Sequence, residues 1–413
     1  MNAPLLVEKH VGWAVDVLKR LVSVPTVNPP GRDYKRFAEV SSEVLKQLGM
    51  EVEVVEVPQD IVSKHEPEGS GYPRFIIVGR LGSGRPVVHF NGHYDVVPPG
   101  SGWTRDPFNP VVEDGRIYGR GAVDMKGGIA AALLAVRAFA EAHPGFKGTI
   151  EIALVPDEET GGETGTGYLL SSGLSKPDYA LIPEPSGSRN VWIGHRGAFW
   201  FFVEVKGKQA HGSTPWLGVN AFEYMVKVAN DFIEAYRKVL EGKQSRYEYD
   251  DPRGAKPTAT FGGEVRGGAK VNVVPGYYAF SVDRRLIVEE TVEEVEKEVF
   301  SMIEELKAKY SEVEIGVKVT NRMPPAFTSP DSTLARELAA SIEDVTGSRP
   351  RLTVCLGGLD LRFYSERGIQ TVSYGPGPIH MAHQADEYVE VEELEKVAKA
   401  YARLMERLLT SSS

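Results

Sequence analysis

A chain of 413 residues, 42% hydrophobic and 25% charged, has the composition of a soluble globular protein too long for one ordinary core. Its net charge of −10 argues against a nucleic-acid partner, which would want a basic face. The single cysteine, Cys355, cannot close an internal disulfide and points to a reducing compartment.

Glu8 and Lys9 interrupt the apolar core that a signal peptide would need. The longest apolar stretch, "GGIAAALLAV", is too short to span a bilayer, so a cytoplasmic protein without a membrane partner is expected. Two helices come first. Val11, Val15, Leu18 and Leu21 share one face, as do Phe37, Val40, Val44 and Leu48, with Gly49 as the stop. Short apolar runs follow: "EVEVVEV", "RFIIVGRL", "PVVHFNG" and, after the Ala-rich helix, "GTIEIALVP" and "DYALIPEP". Strands alternating with helices indicate an α/β sheet covered on its faces.

The pattern changes near residue 195. "GAFWFFVEVKG", a helix beginning at "NAFEYMV", the runs "TATFGGEV" and "YYAFSVDRRLI", and a helix with Val292, Val295, Val299, Ile303 and Leu306 on one face give a β-α-β-β-α unit. The Pro-rich "NRMPPAFTSPDS" marks the return to the first pattern, which ends in the helix "VEELEKVAKAYARLMERLL". The expected fold class is α/β. A discontinuous domain over 1–195 and 320–413, with a mixed, mostly parallel sheet, is interrupted by an α+β domain over 196–319.

Ligands of open α/β sheets collect beyond the carboxyl ends of the strands. There the sequence places His93 and Asp95 in "GHYDVVP", then Asp157, Glu158 and Glu159 in "PDEETGG", and Glu184 in "PEPS". Asp124 stands before a helix in "GRGAVDMKGG", and "IHMAHQADEYV" adds His380, His383, Asp386 and Glu387. Each has an ordinary reading: a chance His-x-Asp, a helix cap, a solvated acidic turn. Together they converge on one place without an accompanying Lys or Arg cluster, and divalent cations would supply the missing positive charge. Imidazole with carboxylate suits zinc, with cobalt or manganese as substitutes.

With "QAHGSTPWLGVNA", "NVVP", "DRRL" and "GGLD" following in order, the chain resembles the dinuclear zinc amidohydrolases that include acetylornithine deacetylase, succinyl-diaminopimelate desuccinylase, aminoacylase and glutamate carboxypeptidase. The resemblance implies two divalent metal ions bridged by Asp124, one completed by His93 and Glu184 and the other by Glu159 and His383. It implies Glu158 as general base to a metal-bridging hydroxide, Asp95 as the orienter of His93, and His211 as oxyanion donor. Asn272 and Arg285 would hold a substrate carboxylate, and Gly357 and Gly358 would let the backbone approach the substrate. His380 matches no ligand position, and Leu359 stands where the family usually has Thr.

The implied second domain is a ferredoxin-like lid and dimerisation domain, and the implied assembly a homodimer. The expected reaction is hydrolysis of the amide bond of a small N-acyl amino acid, as in a deacetylase or desuccinylase. The alternative is a metallo-carboxypeptidase or dipeptidase acting on a short peptide at the same site. A non-catalytic scaffold that kept the fold is disfavoured, because the base and every ligand position are filled.

Overall fold

Alternating apolar runs and helical stripes resolve, in a computed structural model that describes residues 2–410, into two units. The chain up to Ile193, Thr328–Leu352 and the chain from Leu359 onward form the first; Gly194–Phe327 and Thr353–Gly358 form the second.

In the first unit the sheet runs, in spatial order, Glu51–Glu56, Phe75–Ser83, Gly148–Val155, Val87–His93, Tyr179–Ile182 and Gln370–Ser373. The ladders joining the last four of these strands are parallel, while those of Phe75–Ser83 to its two neighbours are antiparallel. The sheet is mixed, with its parallel character confined to the centre. Gly148–Val155 is buried at every position, as a strand covered on both faces must be, and its sequence is accordingly almost continuously apolar. At the rim, Glu51–Glu56 carries Glu51, Glu53 and Glu56, charges that blunt the exposed edge.

Helices cover both faces. Ala3–Val22, started by Asn2 accepting the Leu5 N–H, packs with Lys126–Ala142 and Val391–Leu409. Helix Tyr34–Gln47 lies on Phe75–Ser83, where Gly79 leaves room for Leu45. From the opposite face of that strand, Ile76 and Val78 join a cluster with Val57, Val62 and Leu169. Small residues let Lys126–Ala142 sit close to the chain beside it. A Cβ on Gly128 would lie 1.9 Å from the Pro183 carbonyl oxygen.

The second unit is a four-stranded antiparallel sheet in the order Thr258–Gly267, Tyr277–Leu286, Gly197–Lys206, Glu314–Met323. Helices Ala221–Glu241 and Val292–Lys309 pack on one face, over Phe199, Phe201, Val203, Val205, Phe280 and Val282. Strand Glu314–Met323 is absent from the sequence expectation, which closed this unit at the preceding helix and placed the return at residue 320. Ile315, Val317 and Val319 alternate along its first half and pack on this unit's core, a short period-two signal that gives way to the polar Thr320–Arg322. It pairs with Gly197–Lys206 and carries the second unit on to Phe327.

Candidate metal centre

Three adjacent parallel strands end on the same side of the first unit's sheet. The middle one, Val87–His93, presents His93 as its last residue. On one flank Gly148–Val155 runs through Pro156 into the turn bearing Asp157, Glu158 and Glu159; on the other, Tyr179–Ile182 runs into Pro183 and Glu184. Asp124 lies two residues before helix Lys126–Ala142, whose N-cap is Met125 with no side-chain cap, so the helix-cap reading of Asp124 fails. His383 comes from the loop before Tyr388–Glu390, with a left-handed φ of 63°.

Asp124 sits between the two imidazoles. Its Oδ1 is 3.1 Å from His93 Nε2 and its Oδ2 is 3.3 Å from His383 Nε2. His93 Nε2 is also 3.6 Å from Glu184 Oε1, and His383 Nε2 is 3.0 Å from Glu159 Oε1. The result is two donor groups sharing one carboxylate. Donor atoms of His93, Asp124 and Glu159 all lie within 4.8 Å of one another, as do those of His93, Glu158 and Glu184. His93 is fixed from behind: its Nδ1 donates to the Asp95 carbonyl at 3.0 Å, with the Asp95 carboxylate 3.4 Å away. That leaves Nε2 to face the donors.

Asp95 does more than orient the imidazole. Its carboxylate accepts the backbone N–H of Glu158 at 3.1 Å and of Glu159 at 3.2 Å, so it also sets the acidic turn. Among the described residues none hydrogen-bonds to the Glu158 carboxylate, whereas Glu159 is engaged by His383. The two adjacent acids are therefore held differently.

The electrostatics call for cations. Burial, with neighbouring acids, pushes Glu158 and Glu184 well above the usual carboxylate range and raises Glu159. Burial also works to raise Asp124, but hydrogen bonds from His383 and His93 outweigh it and hold it low. Hydrogen bonds to Asp124 and Glu159 lift His383 to about 10. Clustered buried carboxylates that resist ionisation, beside imidazoles that hold on to protons, form a site short of positive charge. Imidazole nitrogens and carboxylate oxygens, with one carboxylate facing both histidines, fit a pair of divalent ions.

Glu387 and Asp386, two of the candidate donors the sequence offers, hold the loops around the site instead. Glu387 Oε1 accepts the backbone N–H of Gly121, Val123 and Asp124 at 3.0, 3.0 and 3.2 Å, and its other oxygen takes the Arg120 guanidinium. An acid four residues beyond His383 thus fixes the loop of Asp124. Asp386 holds the same C-terminal loop to Thr104 and Arg105 through their backbone N–H groups. Asp360 accepts from Thr166, whose hydroxyl also takes the Asn91 amide two residues before His93. His380 is exposed.

The remaining expected residues belong to the second unit. His211 and Asn272 are neighbours there: His211 pairs with Val273, and Gly212 N–H donates to the Asn272 carbonyl at 2.8 Å. His211 Nδ1 accepts the Ser213 N–H at 3.1 Å, which puts the neutral ring's proton on Nε2. Of the Arg pair, Arg284 is the buried one, bonded to Tyr236 and Glu290; Arg285 lies on the opposite face, paired with Asp283 at 2.8 Å beside Trp200. Gly358 has a packing reason as well, since a Cβ there would come within 2.6 Å of Met323; at Gly357 the nearest atom is Cys355 Sγ, 3.9 Å away.

Residues 89–407 match the family described as peptidase family M20/M25/M40. A succinyl-diaminopimelate desuccinylase of Nitratiruptor sp. is 31% identical over 400 residues, covering 94% of this chain and 99% of that protein. The aminopeptidase PepT of Bacillus cereus superposes with a TM-score of 0.73 at 22% identity, covering 96% of this chain and 98% of that one. An M20 metallo-carboxypeptidase of Sulfolobus solfataricus gives a TM-score of 0.69 at 19% identity, covering 96% and 98%.

Proposed function

Since the chain belongs to peptidase family M20/M25/M40 and is a metal-dependent amide hydrolase, we propose that it deacylates a small N-acyl amino acid, in the manner of a desuccinylase or deacetylase. The observation that carries this reading is Asp124, whose two oxygens face His93 and His383 separately. His93, Asp124 and Glu184 would hold one divalent ion, and His383, Asp124 and Glu159 the second; zinc suits these donors best, with cobalt or manganese able to replace it. When bound, such ions polarise the amide carbonyl and acidify water.

The chain's own groups do the rest. Glu158, free of hydrogen bonds from its neighbours, takes a proton from the attacking water and returns it to the departing amine nitrogen. Asp95 holds His93 and the Glu158–Glu159 turn in register. His211, with its proton on Nε2, is the donor for the developing oxyanion. Asn272 and Arg285 would take the substrate carboxylate, with Gly357 and Gly358 offering backbone beside it. A cytoplasmic homodimer is the expected state.

The desuccinylase relatives favour an acyl-amino acid over a peptide. The test is metal content by mass spectrometry, followed by assays with zinc or cobalt against N-succinyl-diaminopimelate, N-acetylornithine, simple N-acetyl amino acids and dipeptides. Two metals and cleavage of an acyl-amino acid support the proposal. Cleavage of dipeptides alone transfers the site to the peptidase reading, and absence of both metal and turnover refutes it. Glu158→Ala should keep its metals and lose turnover by several orders of magnitude.

A further inference from the structure

Asp157 stands directly before Glu158, is wholly buried, and takes no part in the chemistry described above. Its backbone is left-handed, with φ 64° and ψ 26°, a conformation open to few L-residues besides Asn and Asp. The surroundings here are elaborate. The carboxylate accepts from Arg74 Nε at 2.8 Å, the Tyr34 hydroxyl at 2.9 Å, the Asn28 amide at 3.1 Å and the Thr164 hydroxyl at 2.5 Å. Its carbonyl accepts the Gly162 N–H at 2.6 Å, closing the turn.

Arg74 is equally committed. It is fully buried, its Nη1 donates to the Gly69 and Tyr72 carbonyls at 2.9 Å each, and its guanidinium lies 5.3 Å from the Tyr34 ring centre. A Cβ on Gly31 or Gly69 would come within 2.8 or 2.1 Å of that guanidinium, so the cradle is cut to its shape. The Asn28 amide reaches Asp95 at 3.2 Å and Thr160 at 3.0 Å as well as Asp157. Asp95 in turn holds the N–H groups of Glu158 and Glu159. Arg74, Asp157, Asn28 and Asp95 thus form a continuous brace behind the Glu158–Glu159 peptide.

A buried ion pair is a poor source of stability, because well-packed apolar residues do as well. Asp157 also adds negative charge where several acids already converge. We propose that the Arg74–Asp157 pair is a positioning device. It holds the turn in the one backbone conformation that aims Glu158 at the reacting amide while Glu159 faces His383. The inference rests on Glu158 being the base.

The experiment compares wild type with Arg74→Met, Asp157→Asn, the double variant Arg74→Met/Asp157→Asn, and Glu158→Ala. The readouts are Tm, kcat and KM on whichever acyl-amino acid of the panel above the wild type cleaves, and the visible spectrum and stoichiometry of bound Co(II). Arg74→Met alone leaves a buried charge unpaired and should unfold early; the double variant removes both charges and should recover most of the lost Tm. Its kcat should nonetheless stay about 10- to 100-fold down, with KM within about threefold, as expected for a misplaced catalytic group. Two Co(II) ions should still bind, with an altered spectrum because Glu159 shares the turn. A double variant with wild-type kcat and an unchanged Co(II) spectrum overturns the positioning role. Against an inactive Glu158→Ala, that result leaves the base assignment standing; full turnover in Glu158→Ala overturns both.

Discussion

Glu151→Gln tests a buried network between strand Gly148–Val155 and the strand that delivers His93. Glu151 lies within the fully buried strand Gly148–Val155 and faces His89, four residues before His93 on the neighbouring strand. Its carboxylate accepts from His89 Nδ1 at 2.8 Å and from Arg80 Nε at 2.7 Å, and also from the Ser175 hydroxyl; the Tyr364 hydroxyl meets the other side of the imidazole at 2.7 Å. Burial alone would raise the Glu151 pKa, but these partners outweigh it and hold it at about 2 instead of the ordinary 4.5. That difference corresponds to about 3 kcal/mol of folding free energy at neutral pH. Because the folded-state pKa is depressed, the contribution is complete above about pH 4.5 and is lost as pH falls toward 2. Glu151→Gln should therefore unfold about 3–6 °C below wild type at pH 7, with the gap closing between pH 4.5 and 2. Thermal unfolding followed by circular dichroism, with chelator present so that acid does not also strip metal, measures this. A gap of the same size at pH 7 and pH 3 would refute the electrostatic account and leave only a packing effect.

The adjacent arginines should separate cleanly. Arg284→Met breaks a buried pair with Glu290 and should cost about 3–5 kcal/mol in an unfolding experiment, while Arg285→Lys, whose partner Asp283 is partly exposed, should cost under about 1 kcal/mol. If Arg285 clamps a carboxylate, the same Lys variant should raise KM about tenfold, the loss of one charge-assisted hydrogen bond; an unchanged KM removes the clamp. Gly128→Ala must displace the Pro183 carbonyl, with a stability loss of about 1–3 kcal/mol and weaker metal retention through Glu184; wild-type Tm and metal content would show that the helix can yield. Chelation should lower Tm, and zinc at about a thousand times its Kd should restore about 4 kcal/mol; a Tm indifferent to both means the donors hold no metal.

The sequence discloses this fold and site unevenly, for physical reasons. His93, Glu158 and Glu184 were legible because strand ends are legible: an apolar run stops and polar residues begin, three times over, on strands that prove to be neighbours. Asp124 and His383 stand among the same candidates, but their roles needed the resemblance, since nothing local distinguishes a loop aspartate from a helix cap or a loop histidine from its neighbour His380. Glu387 and Asp157 stand among the sequence's candidates, but their role is to accept hydrogen bonds from residues distant in sequence, such as Asp124 and Arg74, and no spacing encodes that. Strand Glu314–Met323 is absent from the expectation because its apolar alternation, Ile315, Val317 and Val319, is short and follows directly on a long helix. The choice between Arg284 and Arg285 required the register of Tyr277–Leu286, where one residue of slip exchanges the buried face for the open one.

The strand Gln370–Ser373 has a consequence for how the chain is made. It is not an edge: it pairs with Tyr179–Ile182 on one side, and Ser373 pairs with Trp192 on the other. The ribosome releases Tyr179–Ile182 roughly 190 residues, and roughly ten to forty seconds, before its partner arrives. Throughout that interval Tyr179–Ile182 lacks this partner, and its unpaired N–H and C=O groups are open to pairing with another chain. His383 follows the late strand by only a few residues, so the metal-binding donors are assembled together with the keystone. Premature termination before residue 370 would therefore yield a product that is both sticky and incomplete, a natural substrate for chaperones and proteases.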